Sequence, residues 1–215
     1  MKSAPPSRPN RQYPTWNQVK VALGDKVIDA LIFAVSSTRT DLADYRRFRP
    51  DWVVQHSERG LAGWIHDRLW YHLTVEQADL SHVVITDKGV LREFTVGPET
   101  EVIRFRVKRH DMEGDISTYP TQLALEFLAQ VDGMLPIFSE LHLIAGYRWN
   151  QDERSMGGAV ISLRDGLDDI KWSQDLDAAP PSTGTAGIPA TPKPPAPVID
   201  SGAVGRDSES AHETE

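Results

Sequence analysis

The sequence predicts an α+β domain: three N-terminal helices followed by a six-stranded antiparallel sheet, interrupted by one covering helix. Three observations carry this reading. Apolar residues recur at helical spacing over the first third of the chain, the pattern changes to period two from about Leu80, and one amphipathic segment breaks the alternation after Val107.

The first helix is predicted from Thr15, a hydroxyl cap, to about Ser36. Leu23, Val27, Leu31 and Val35 repeat every four residues, and Ile28 and Ile32 widen the stripe. Thr40 is the expected cap of a short second helix from Asp41 to Phe48, stopped by Pro50. Ser57 caps a third, to Leu73, whose Leu61, Trp64, Ile65, Leu69, Tyr71 and Leu73 leave little polar surface and mark it as the most buried.

Strands follow. His82–Thr86 and Val90–Val96 flank Asp87-Lys88-Gly89, a hairpin turn, and Gly97-Pro98 closes the pair. In Ile103-Arg104-Phe105-Arg106-Val107-Lys108, apolar and cationic residues alternate strictly, so one face is buried and the other positive. A helix is predicted to start near Thr118 and end near Asp132-Gly133. Its stripe is Leu123, Ala124, Phe127, Leu128 and Val131, and it is expected to cover the inner face of the sheet. Glu140–Trp149, where Ile144 breaks the alternation, Ala159–Leu163 and Ile170–Trp172 complete the six strands.

The predicted organisation is a flexible arm over 1–14, one domain over 15–177 (helical lobe 15–75, sheet 80–177) and a disordered, proline-rich, acidic tail over 178–215. With no cysteine, disulfides, thiolate metal sites and cysteine nucleophiles are excluded. No apolar leader follows Lys2, Arg8 and Arg11, and the longest apolar run, Ala30–Val35, is too short to span a bilayer. A cytoplasmic protein without a membrane association is expected.

The formal net charge is -8, and the span 15–177 holds 18 cations against 26 acids. Such a domain is no general polyanion binder, because nonspecific affinity for nucleic acid rests on basic excess. Any such role needs a local patch. Arg39, Arg46, Arg47 and Arg49 stand beside Asp41, Asp44 and Asp51, a mixture of signs that reads as a solvated helix face.

The stronger candidate is the sheet. Arg104, Arg106 and Lys108 share one face, and by the same parity Arg148, Arg164 and Lys171 project from later strands. His110 and Thr118, at the expected helix start, lie a short turn away, so cations and free helix amides together form a candidate anion site. The binding residues assigned are Arg104, Arg106, Lys108, His110, Thr118 and Arg148. An anionic ligand or nucleic acid is the expected partner of that face, with a protein partner as the other possibility; no cofactor is called for.

No metal is assigned. The His66-Asp67 pair resembles the paired ligands of the HD phosphohydrolases, with His56 as a third candidate, but that family needs a further aspartate on a later helix and strands follow here. Asp111, Glu113 and Asp115 resemble a calcium loop, yet Ile116 and Gln122 stand where such a loop requires glycine and glutamate. Phosphate-binding loops, nucleophile elbows and zinc-protease signatures are absent. The reading is therefore a non-enzymatic binding or regulatory protein; the alternative is a small hydrolase that uses His110 or His142 with nearby carboxylates such as Glu140.

Overall fold

The computed structural model of the chain describes residues 12–89, 91–98, 102–130 and 140–177. The expected tail over 178–215 and most of the expected arm lie outside these residues. The α+β class holds: helices come first, then a six-stranded sheet in the order β1-β2-β3-β4-β5-β6, with one short helix between the third and fourth strands.

Among the described residues four helices, rather than three, precede the sheet: α1 (Trp16–Leu23), α2 (Asp25–Phe48), α3 (Pro50–Gln55) and α4 (Glu58–Gln77). The expected first helix breaks at Gly24, whose φ of 77° lies in the region open to glycine and whose N–H closes α1 on the Lys20 carbonyl. No break occurs at Thr40. The hydroxyls of Thr38 and Thr40 donate to the carbonyls of Ala34 and Ser36 one turn back, so α2 passes straight through them. Pro50 begins α3 instead of merely ending its predecessor. The cap on α4 is as expected: Ser57 Oγ accepts from the Gly60 N–H at 3.0 Å.

The strands are β1 (Val83–Lys88), β2 (Leu91–Val96), β3 (Val102–His110), β4 (Glu140–Asn150), β5 (Ser155–Arg164) and β6 (Ile170–Asp175). All neighbouring pairs are antiparallel except β3 and β4, which run parallel from Val102 opposite Glu140 to His110 opposite Arg148. The sheet is thus mixed. The long connection that holds the intervening helix, α5 (Gln122–Leu128), is the crossover that a parallel pair requires.

One face of the sheet carries Phe94, Phe105, Leu143, Ile161 and Leu163 against Leu31, Val35, Leu69 and Leu73 of the helices, all within one buried core. Helix α4 buries one face there, while Tyr71 and Val75 on its other side stay exposed. Helix α5 lies on the opposite face, where Phe127 and Leu128 pack on Ile144. Ile144 interrupts the alternation of β4 because that strand is covered on both sides. The helix is shorter than its pattern implied. Thr121, not Thr118, accepts from the Ala124 N–H as its cap, and Leu123 is exposed. Before α1, Tyr13 packs on the core and Pro14 accepts a bond from Trp172 Nε1, which ties residues of the expected arm to β6. Among the described residues no helix is long and apolar enough to cross a membrane.

Candidate functional site

The parity argument for the sheet holds: Arg104, Arg106, Lys108 and His110 all lie on the face away from α2 and α4. Their charges, however, are mostly answered there. Glu93, buried on β2, accepts from Arg104 Nη1 and Arg106 Nε, both at 3.1 Å. Arg104 Nε lies 2.9 Å from Glu140 Oε1, close enough for charge attraction although not aligned as a hydrogen bond. Glu140 also meets His142 Nε2 at 2.8 Å, and His142 Nδ1 meets the Phe127 carbonyl at the same distance. The His142 ring stacks on Phe127 with centroids 4.5 Å apart, and the Arg106 guanidinium sits 3.9 Å from the same phenyl centroid. Glu93, Arg104, Glu140, His142, Phe127 and Arg106 thus form a closed ring of contacts that clamps α5 to the sheet.

The other assigned residues fare differently. Arg148 is held by Asp175 at 2.7 Å, by Ser173 Oγ and by the Asp111 carbonyl. Lys108 has no carboxylate partner among the described residues, and burial, then the neighbouring Arg106, lowers its pKa. Thr118 is half-buried in the loop before α5 and does not sit at the helix start. His110 is fully buried with its Nε2 3.0 Å from the buried Ser162 Oγ, while its Nδ1 has no partner. Burial, then the charges of Arg164 and Arg148, pushes its pKa down to about 3. An imidazole so placed is a poor general base: it lacks an orienting carboxylate and a path to substrate. Arg164, equally buried, donates to the carbonyls of Gly114 and Leu167 and joins the two loops that close this side of the sheet.

A second group of cations lies on the helical side of the sheet. Arg39 and Arg46 are two turns apart on α2, with buried Leu42 between them, and both reach toward the start of β5. Arg39 donates to the Gly157 carbonyl at 3.4 Å, and Arg46 donates to the Arg154 carbonyl. Burial, then the charge of Arg154, lowers the Arg46 pKa. Arg154 sits in the β4–β5 turn, where Asn150 Oδ1 accepts from two successive amides, and it is the sole non-glycine residue with positive φ among those described, at 50°.

That turn directs Arg154 toward Glu58, on the first turn of α4. Glu58 Oε1 lies 3.2 Å from Arg154 Nε, and its Oε2 lies 3.7 Å from Nη1 of Arg109, the last odd position of β3. Arg109 also lies over the Trp149 ring at 5.5 Å. The wall beside Arg154 is stiff: Tyr45 stacks on Trp64 and bonds His56 Nε2 at 2.9 Å, and the His56 carbonyl accepts from Arg154 Nη2 at 3.4 Å. Two guanidinium groups, those of Arg109 and Arg154, therefore share one carboxylate, and Arg46 joins them through the Arg154 carbonyl; the side chains of Arg109, Arg154 and Glu58 remain 21%, 35% and 44% exposed.

In the sequence Arg39 and Arg46 read as part of a solvated, mixed-sign helix face, second in rank to the basic sheet face. The mixed signs along α2 hid Arg39 and Arg46, whose seven-residue spacing around Leu42 was the available signal. Arg109 and Arg154 stood in no pattern. The motifs weighed for metal have other uses: Asp67 pairs with Arg92 at 2.5 Å, and Asp111 Oδ1 caps the amides of Gly114 and Asp115. No group of three His, Asp or Glu side chains suited to a metal ion occurs among the described residues. No family model, no curated protein and no solved structure matches this chain.

Proposed function

We propose that this chain is a non-enzymatic binding protein for an anionic ligand, and that the ligand sits at Arg39, Arg46, Arg109 and Arg154 rather than on the basic sheet face. One observation carries the reading: Arg109 and Arg154 share a single carboxylate, Glu58, and Arg39 and Arg46 have no carboxylate partner among the described residues, whereas Arg104, Arg106 and Arg148 of the sheet face already meet Glu93, Glu140 and Asp175. Arg39 and Arg46 donate to neutral carbonyls, for which a charged oxygen is a stronger substitute. The rigid guanidinium fork matches carboxylate and phosphate oxygens. On a chain of net charge -8 the attraction is local, which favours a compact anion over a long polyanion. A hydrolase built on His110 or His142 has less support, since the first is sealed from solvent and both ring nitrogens of the second are engaged, Nδ1 by the Phe127 carbonyl of α5 and Nε2 by Glu140, which is itself beside Arg104.

The test is calorimetric titration with inorganic pyrophosphate at low salt. Binding is expected to weaken as salt rises, because partly exposed charges are screened. It should be lost in Arg46→Gln and Arg109→Gln and kept in Arg104→Gln and Lys108→Gln. No heat with the unmodified protein, or equal binding by the first two variants, overturns the assignment. Loss confined to the second pair returns the site to the sheet.

A further inference from the structure

The two edges of the sheet are built differently. Edge strand β6 carries Lys171 and Asp175, the latter paired with Arg148, and such charges discourage another strand from adding there. Edge strand β1 begins with the uncharged run Val83-Val84-Ile85-Thr86 and keeps its own charges, Asp87 and Lys88, at the hairpin end; Val84 is 60% exposed, and no strand covers the outer side of β1 among the described residues. An open, β-branched edge of this kind is a template for a further strand.

Its free hydrogen-bonding groups specify which strand. The Gly97 N–H donates to the His82 carbonyl across the β1–β2 pair. Because antiparallel strands alternate, His82, Val84, Thr86 and Lys88 direct their amides and carbonyls toward β2, and Val83, Ile85 and Asp87 direct theirs outward. The Val83 N–H is already used by the Leu80 carbonyl at 2.9 Å. The outward donors left are the amides of Ile85 and Asp87, and the outward acceptors are the carbonyls of Val83, Ile85 and Asp87.

We infer that β1 is the docking edge for a second copy of this chain, paired antiparallel about a two-fold axis at Ile85. In that register each Ile85 N–H meets the Ile85 carbonyl of the other copy, and each Asp87 N–H meets the opposing Val83 carbonyl. Both free donors are satisfied, and the one amide that a regular ladder would also need, that of Val83, is the one already bonded within its own chain. Val84 faces Thr86 and Ile85 faces Ile85, so no like charges are opposed along the run. The pairing joins two six-stranded sheets into one and leaves β6 as the outer edge at both ends. With so few contacts the dimer belongs among weak, concentration-dependent associations. Each copy has net charge -8, so added salt strengthens the dimer by screening repulsion, opposite to its effect at the arginine cluster.

The experiment is sedimentation equilibrium of the full chain across a concentration series at low and high salt. Ile85→Pro removes an outward amide and no bond within the sheet, a position where an edge strand accepts proline; it is expected to weaken dimerisation by at least about tenfold. Because Ile85 also packs on the core, Val84→Lys at the exposed position serves as a second variant with intact packing, and it too should be monomeric. A monomer at every concentration and salt overturns the inference. So does a dimer that survives in both variants, or a Val84→Lys protein that is folded by circular dichroism and dimerises as tightly as the parent.

Discussion

Acidification should destabilise this fold well above the carboxylate range, and His110 is the main reason. In the folded chain its ring has no exposure to water and its pKa lies at about 3, whereas an unfolded histidine titrates near ~6.5. Between those values the unfolded chain binds the extra proton, so the stabilising contribution is complete above about pH 6.5 and is lost progressively as pH falls toward 3. Worked through the two values, the loss at about pH 5 is roughly 2 kcal/mol. His66, lowered by burial and then by Arg92, adds in the same direction. Asp41 does not contribute in that window. Burial alone would raise its pKa, but the bonds from His72 and Arg68 outweigh it, so its contribution disappears only as pH falls through the range below a free carboxylate's. Urea titrations at pH 7 and pH 5 on the parent and on His110→Gln separate the shares, because His66 is common to both. The variant should lose about 2 kcal/mol less between the two pH values. Equal losses, within roughly 0.5 kcal/mol, would mean that His110 is hydrated or already charged in the fold, and the sealed second face would be wrong.

Two substitutions probe the packing around that face. Glu93→Ala leaves Arg106, only 16% exposed, without its carboxylate, while Arg104, 40% exposed, keeps Glu140; the expected loss is about 3 kcal/mol in a denaturant titration, and a loss below about 1 would show that the ring of contacts is not coupled. At Gly146→Ala the new Cβ would stand 1.8 Å from the Lys108 carbonyl oxygen, so β3 and β4 must move apart. A loss of at least about 2 kcal/mol is expected by thermal denaturation, and an unchanged melting temperature would contradict the register of that pair.

Most of the architecture was legible because burial on a single face imposes a period. The alternation in β3 and the capped, apolar α4 both lie against one neighbour, and both formed where their patterns placed them. Errors arose where a local signal had two physical outcomes. A hydroxyl at Thr38 or Thr40 can cap a new helix or donate one turn back, and the structure takes the second course. Strand direction is not encoded in alternation at all, so nothing in β3 or β4 announced that they pair parallel. Ile144, the residue out of phase in β4, was the visible trace of α5 on the second face, and read that way it would have placed the helix on the opposite side of the sheet. The arginine cluster was illegible for a related reason. It joins α2, β3 and the β4–β5 turn, more than a hundred residues apart in sequence between Arg46 and Arg154, and only the fold brings Arg109 and Arg154 to Glu58 and Arg46 to the Arg154 backbone.

Charge count and charge availability are thus separate properties of this chain. Arg104, Arg106 and Arg148 on the sheet face each meet a carboxylate, and Arg106 and Glu93 are buried deeply enough that the pair serves to fix α5. Arg164 loses contact with water altogether and bonds two loop carbonyls, which makes it a staple and not a ligand contact. Arg39 and Arg46 stand in a segment rich in aspartate, but Asp44 pairs with Arg47 and Asp41 with Arg68 and His72, so the acids that masked them are engaged elsewhere. An external anion gains most where cations are crowded, partly dry and without enough carboxylates of their own. Among the described residues the arginines around Glu58 come nearest to that condition, because Arg109 and Arg154 share one carboxylate and the aspartates closest to Arg39 and Arg46 in sequence, Asp41 and Asp44, already have partners.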